Sequence, residues 1–331
     1  MAEARGFTRV LGNVNRFCMA ACPYDARHLP ASDRKVGVMN PVLQPLPSIP
    51  WPPMIGWYFI LAGIAAGTSL VAEWVRPPHE RGAVDFAWHM AWLALLALLL
   101  CGVILMLDLG RPERFGLMLS SFANLGSVMS VGAKLIALKG MLLAYVLGLL
   151  YFRRRAMAVG DMTLAPGITQ TVYAVIPGLL AVSSLCLAVY PAMLPARTWS
   201  APLAASSRAG LLFASTALLM GLACGLLLVR DAEHAARLRS ILLFLIVAQV
   251  GLLLFSGLAL YGGAPAPAHA LRTLTTGSAA GLFWSVAVGV GLGLPGVLLL
   301  AQPQQRVLNV ASAACLLVGA ATLRWLVFSV S

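Results

Sequence analysis

The chain has 331 residues, 60% of them hydrophobic and 10% charged, and a formal net charge of +12. Soluble domains carry about 25% charged residues, so an ordinary water-soluble globule is excluded and a polytopic membrane protein is indicated. The basic excess consists of 20 Arg and 3 Lys. In so apolar a chain, arginines in short loops anchor helices against anionic lipid, which argues against nucleic-acid binding.

The apolar runs do not alternate, and each is about 20 residues long, the length of a spanning helix rather than of a barrel strand. In hydrocarbon every backbone amide needs an internal partner, so these runs predict an all-α transmembrane bundle. Residues 1–53 are expected to form a polar, Pro-rich arm, and residues 54–331 the membrane domain. The first 50 residues contain no apolar h-region, so no cleavable signal peptide is expected. Within the arm lies Cys18-Met-Ala-Ala-Cys22-Pro23-Tyr24-Asp25-Ala26-Arg27-His28. Its C-x3-C-P spacing is similar to the end of a ferredoxin-type binding run. A cubane cluster needs four ligands, so the two cysteines are either an inert remnant or half of a site that another polypeptide completes. Cys101, Cys186, Cys224 and Cys315 fall in apolar runs and are expected to pack, not to bind a metal.

Eight spans are predicted, at about 54–73, 86–107, 128–151, 170–191, 208–229, 239–261, 278–300 and 307–330. The first places Trp57, Tyr58 and Trp74 at its two interfaces, and its Gly63 and Gly67 let another helix approach closely. Glu73 stands at its far end, available for proton transfer or for pairing with Arg76. The second span carries His89 near its start. Axial haem ligands in a membrane cytochrome are paired histidines deep in helices, so no haem is expected. The second span ends in Met106-Leu-Asp108-Leu-Gly-Arg111-Pro-Glu-Arg114-Phe115, a charged turn at the bilayer edge. The third span contains Lys134 and Lys139. Lys139 is 11 residues in, roughly 16 Å deep at 1.5 Å per residue. A lysine at that depth costs about 3 kcal/mol unless paired or wetted. It reads either as part of a proton or ion path or as a snorkelling side chain. Lys134 lies near the edge that Asp108 occupies, which suggests an ion pair. Tyr190-Pro191 is expected to end the fourth span, with the tyrosine hydroxyl at the interface. Arg324, a few residues from the end of the last span, is expected to snorkel.

Loops after odd-numbered spans carry nine arginines near the membrane, including Arg153–Arg155, and the opposite side carries seven basic residues. The positive-inside rule then puts both termini and the Asp108–Arg114 turn on the periplasmic face of a bacterial inner membrane.

Tyr58-Phe-Ile-Leu-Ala-Gly-Ile-Ala-Ala-Gly67, the Leu107–Phe115 turn, Ser127-Val-Met-Ser-Val-Gly132 and Leu187-Ala-Val-Tyr-Pro191 together resemble the NrfD/polysulfide reductase membrane subunit family over about residues 54–331. The CPYDAR stretch resembles the four-cluster iron–sulfur subunit that partners this family. The resemblance implies a haem-free, quinol-binding anchor of a multi-subunit oxidoreductase. Such an anchor exchanges electrons between menaquinone or ubiquinone and a docked ferredoxin-type iron–sulfur subunit, which serves a catalytic, molybdopterin or haem subunit. It also implies a quinone site at Tyr58 and Tyr190. Departures from the family's serine motif occur at Val128 and Val131. The chemistry agrees: quinol oxidation releases two electrons and two protons. Tyrosines at Tyr58 and Tyr190 could hold the ring oxygens and Asp108 could accept a proton. Arg111 and Arg114 could keep Asp108 ionised or seat the partner, and Glu73 and Lys139 could carry protons from the other side, with Lys134 also on the proton path. Two other readings stay open. One is a secondary transporter, with the Gly289–Gly296 stretch as a broken helix; the other is a passive anchor that binds no quinone.

Overall fold

A computed structural model describes residues 53–74, 81–108, 128–160, 170–198, 203, 208–229, 231–261, 265–301 and 305–330. The Pro-rich arm, Cys18, Cys22, Arg76, Arg111 and Arg114 lie outside these residues. Among the described residues the fold is helical, with eight helices long and apolar enough to cross a membrane. These are α1 (Pro53–Trp74), α2 (Arg81–Asp108), α3 (Val128–Val159), α4 (Gln170–Thr198), α5 (Ala209–Leu228) and α6 (Ala232–Tyr261), then α8 (Leu282–Ala301) and α9 (Arg306–Ser329). A short helix, α7 (Pro265–Thr275), precedes α8 and was not anticipated from hydropathy.

Several helices run past their apolar cores. The third helix continues through Arg153–Arg155 and stops at Gly160, whose φ of 77° is the left-handed conformation that ends a helix. The fourth continues through Pro191 to Thr198, so the proline does not terminate it. Pro191 supplies no N–H, but in a membrane bundle neighbouring groups satisfy the carbonyl it leaves. The Gly-rich seventh span is unbroken: a π-helical segment, Leu282–Gly293, runs directly into α-helix from Leu294 to Ala301.

The first four helices pack in a ring, α1 on α2, α2 on α3, α3 on α4 and α4 on α1. A second group is formed by α5, α6, α8 and α9, and α1 packs along α5 where the two groups meet. Small residues make that joint. A Cβ on Gly67 would lie 1.8 Å from the Ala217 carbonyl oxygen, and one on Gly221 would lie 2.2 Å from Gly67 backbone atoms. Only glycine tolerates such an approach, which is how helices associate in a solvent as apolar as themselves. Gly291 and Gly319 repeat the device between α8 and α9, with a Cβ on Gly291 falling 2.4 Å from the Gly319 Cα.

The first helix has two working faces. Tyr58, Ala62, Ala65, Ser69 and Glu73 recur at three- and four-residue steps and define one stripe. Phe59, Gly63 and Gly67 define another, which meets α5 and α9. Gly63 does not seat a helix backbone as its spacing with Gly67 suggested. Its missing side chain makes room for the Arg324 guanidinium, 2.6 Å from where a Cβ would be.

Candidate functional site

Tyr58 and Tyr190 both lie in the buried core of the first ring, 3% and 4% exposed. Their phenols are within electrostatic reach of one another, and the Cys101 thiol is near Tyr58. Tyr190 is therefore not an interfacial tyrosine. Because α4 continues beyond it, its side chain turns inward and its hydroxyl donates to the Val128 carbonyl at 3.1 Å. Gly132, one turn on, leaves the space for that ring: a Cβ there would fall 2.1 Å from the Tyr190 hydroxyl oxygen. The stretch containing Val128 and Gly132 thus borders Tyr190 despite its two valines. Val131 faces outward.

The Tyr58 hydroxyl is buried and has no hydrogen-bond partner among the described residues. Its backbone carbonyl accepts from Cys101 Sγ at 3.6 Å. A buried, unmade hydroxyl bond costs about 1–3 kcal/mol, so such a group points to a role that needs it open. A ligand carbonyl could accept from it.

Lys139 is fully buried, with 0% of its surface exposed. It does not snorkel. Its ammonium donates to Ser69 Oγ at 2.7 Å and to Ser184 Oγ. Those hydroxyls lie 3.0 Å apart, and each donates to a carbonyl of its own helix, Ser69 to Ala65 at 2.6 Å and Ser184 to Leu180 at 2.5 Å. Each serine therefore accepts from the lysine while giving its own proton to the backbone. Glu73, half-buried and one turn beyond Ser69, is within electrostatic reach of Lys139. Lys134 sits half-buried between Gly132 and Lys139 on the same helix.

These residues form two sets along one axis rather than a single cluster. Ser184 is six residues from Tyr190 and Ser69 is eleven from Tyr58, about 9 and 16 Å of helix rise. Asp108 closes α2, half-buried. It is seven residues past Cys101, about 10 Å further toward that end. Among the described residues it makes no hydrogen bond or ion pair with either tyrosine. At the opposite end of the bundle a polar cavity is lined by Asp85, His89, Arg154, Asp231 and His234, among others. Arg154 pairs with Asp85 at 2.7 Å, and the His89 ring N–H donates to the Asp85 carbonyl at 2.6 Å.

Sequence reasoning singled out Tyr58, Tyr190, Asp108, Glu73, Lys134 and Lys139 as candidates and gave no site role to Ser69, Ser184, Cys101 or Gly132. One signal was available for Ser69, which is four residues from Glu73 on the stripe that leads back to Tyr58. Arg324 was misjudged. It is 1% exposed and enclosed between α1, α5 and α9. Backbone carbonyls of Phe59 and Phe213 hold it inside, where snorkelling would forfeit those bonds.

A family model described as polysulphide reductase, NrfD, matches residues 41–331. This chain belongs to the NrfD family. The C subunit of the polysulfide reductase of Wolinella succinogenes is 29% identical over 272 residues, covering 76% of the present sequence and 83% of that protein. The family assignment and the eight apolar helices together make this NrfD-family protein a multi-pass integral membrane protein.

Proposed function

We propose that this NrfD-family protein is the membrane anchor of a reductase complex in a bacterial inner membrane, and that it binds quinone or quinol for that complex. In this reading it passes electrons between the quinone pool and a docked iron–sulfur subunit, which serves a catalytic, molybdopterin-type subunit. The likeness to the polysulfide reductase C subunit supports a place in such an assembly. The observation that carries the quinone reading is the buried Tyr58 hydroxyl without a partner among the described residues, in the same core as Tyr190.

A bound quinone would supply two-electron, two-proton redox chemistry. Tyr58 would donate to one ring oxygen, and Tyr190 would exchange its bond to Val128 for one to the head group. Asp108, at the end of α2, would receive protons on that side, held ionised by Arg111 and Arg114 or sharing them with the docked partner. Glu73 and Lys139 would carry protons from the opposite face toward Lys134, with the Ser69 and Ser184 hydroxyls as relays. The polar cavity around Asp85 and Arg154 would admit water to that route.

The test uses Tyr58→Phe and Tyr190→Phe in the assembled complex. Tyr58→Phe removes an orphaned hydroxyl, so it should leave stability unchanged or raise it by about 1 kcal/mol while raising the KM for quinol severalfold. Tyr190→Phe should lower quinol turnover at least tenfold. Normal turnover in both variants would rule out this site.

A further inference from the structure

The quinone reading makes no use of Arg324. This residue crosses the joint between the two helix groups. Its Nε–H donates to Thr216 Oγ1 at 3.0 Å, and its Nη1 and Nη2 donate to the carbonyls of Phe59 and Phe213 at 2.7 and 2.5 Å. Its guanidinium carbon lies 5.0 Å from the Phe213 ring centroid. All of these partners are neutral. Among the described residues no carboxylate forms an ion pair with it. A guanidinium carries five N–H donors, so these three bonds do not exhaust it.

Arg324 stands in the wall of a cleft of about 620 Å³, counting the space at its open mouth. The other walls are mostly apolar and include Leu253, Leu260, Leu271, Phe283 and Val327. Besides Arg324 and its partner Thr216, one polar side chain lines this space. Ser256 is 4% exposed, and its hydroxyl has no hydrogen-bond partner among the described residues. Beside it, Gly257 has open space where a side chain would be. The cleft thus combines an apolar trough, an orphaned buried hydroxyl and a cation lacking a counter-ion among the described residues.

We propose that this cleft binds an anionic single-chain amphiphile. Its oxyanion head accepts hydrogen bonds from Arg324 and Ser256, and its hydrocarbon tail lies against the leucines of α6 and α7. Charge decides the ligand class. A neutral carbonyl could accept the same hydrogen bonds, but only an anion neutralises a guanidinium held in hydrocarbon. Carboxylate and phosphate heads share this chemistry. The inference uses different residues from the quinone site: Arg324 meets the Phe59–Gly63 stripe of α1, and Tyr58 lies on the neighbouring stripe.

The test is electron paramagnetic resonance on the purified full-length protein in detergent, titrated with hexadecanoic acid carrying a nitroxide near its tail. The expected result is a saturable immobilised component. Unlabelled hexadecanoic acid should displace it at least tenfold better than its methyl ester does. A lysophosphatidic acid arm identifies the source: stronger displacement by it assigns a phosphate head, weaker displacement a carboxylate. Arg324→Gln should abolish the component. Because Arg324 ties three helices together and its variant can fail to fold, Gly257→Leu provides the second arm. It adds bulk to the cleft wall beside Ser256, from a position with open space around its Cβ, and should abolish binding with the unfolding midpoint retained. The proposal is overturned by absence of a saturable component, by equal displacement with the methyl ester, by displacement with a short-chain quinone alone, or by unchanged binding in Gly257→Leu.

Discussion

Replacing Lys139 with methionine keeps most of the length of the side chain and removes its charge. Two hydrogen bonds from the ammonium disappear, each of the charge-assisted kind that contributes about 1.5–3 kcal/mol. Against this, a lysine in the interior of a span carries an insertion cost of about 2.5–3.5 kcal/mol, which methionine does not. Neither serine is orphaned, because Ser69 still donates to Ala65 and Ser184 to Leu180. The insertion cost offsets most of the lost bonding, and the middle of the two ranges leaves a net loss of about 1.5 kcal/mol, in line with the small effect of exchanging buried charges for apolar isosteres. Ser184→Ala should do more harm despite changing fewer atoms. It takes an acceptor from a charge that remains buried, at a cost of about 3 kcal/mol. The double variant should be more stable than Ser184→Ala alone, a coupling that a mutant cycle isolates. Thermal unfolding of the purified protein, followed by tryptophan fluorescence, measures all three. Quinol turnover by the assembled complex measures function, and should fall at least tenfold in Lys139→Met. Unfolding of Lys139→Met together with a silent Ser184→Ala would refute the network energetics. Unaltered turnover would remove Lys139 from the proton route.

Gly132→Ala places a methyl group on the Tyr190 phenol, whose hydroxyl oxygen lies 2.1 Å from the new carbon position. The ring must leave its bond to Val128, at an overpacking cost of about 1–3 kcal/mol, and quinol turnover should fall as in Tyr190→Phe; unchanged turnover would mean that the phenol's position does not matter. Gly67→Ala has no such escape, because its Cβ would meet backbone at 1.8 Å. The two helix groups must part there, costing about 3 kcal/mol or more, and folded yield by size-exclusion chromatography should drop sharply. Asp85→Asn breaks the ion pair with Arg154, in which the two side chains are 52% and 39% exposed. Solvent screening limits the change to less than about 1 kcal/mol, and thermal unfolding should detect almost nothing.

Sequence alone determined the solvent of this protein and therefore its class. Uninterrupted apolar runs in a polypeptide with 10% charge leave only helices that satisfy their own backbone bonds. The same reasoning located Lys139 inside a span and Gly67 at a close helix approach. Which way each helix faces was not legible. In water an amphipathic stripe sets a helix's rotation, but in lipid the core and the surroundings are equally apolar, and the spans here are apolar all round. Tertiary packing therefore decided that Tyr190 turns into the core and that Ser69 and Ser184 meet on Lys139. It also decided that Arg324, which sequence position placed at a bilayer edge, is held inside by the carbonyls of two helices far from it in the sequence. Those bonds exist only once α1, α5 and α9 have come together, so no local pattern around residue 324 could have announced them.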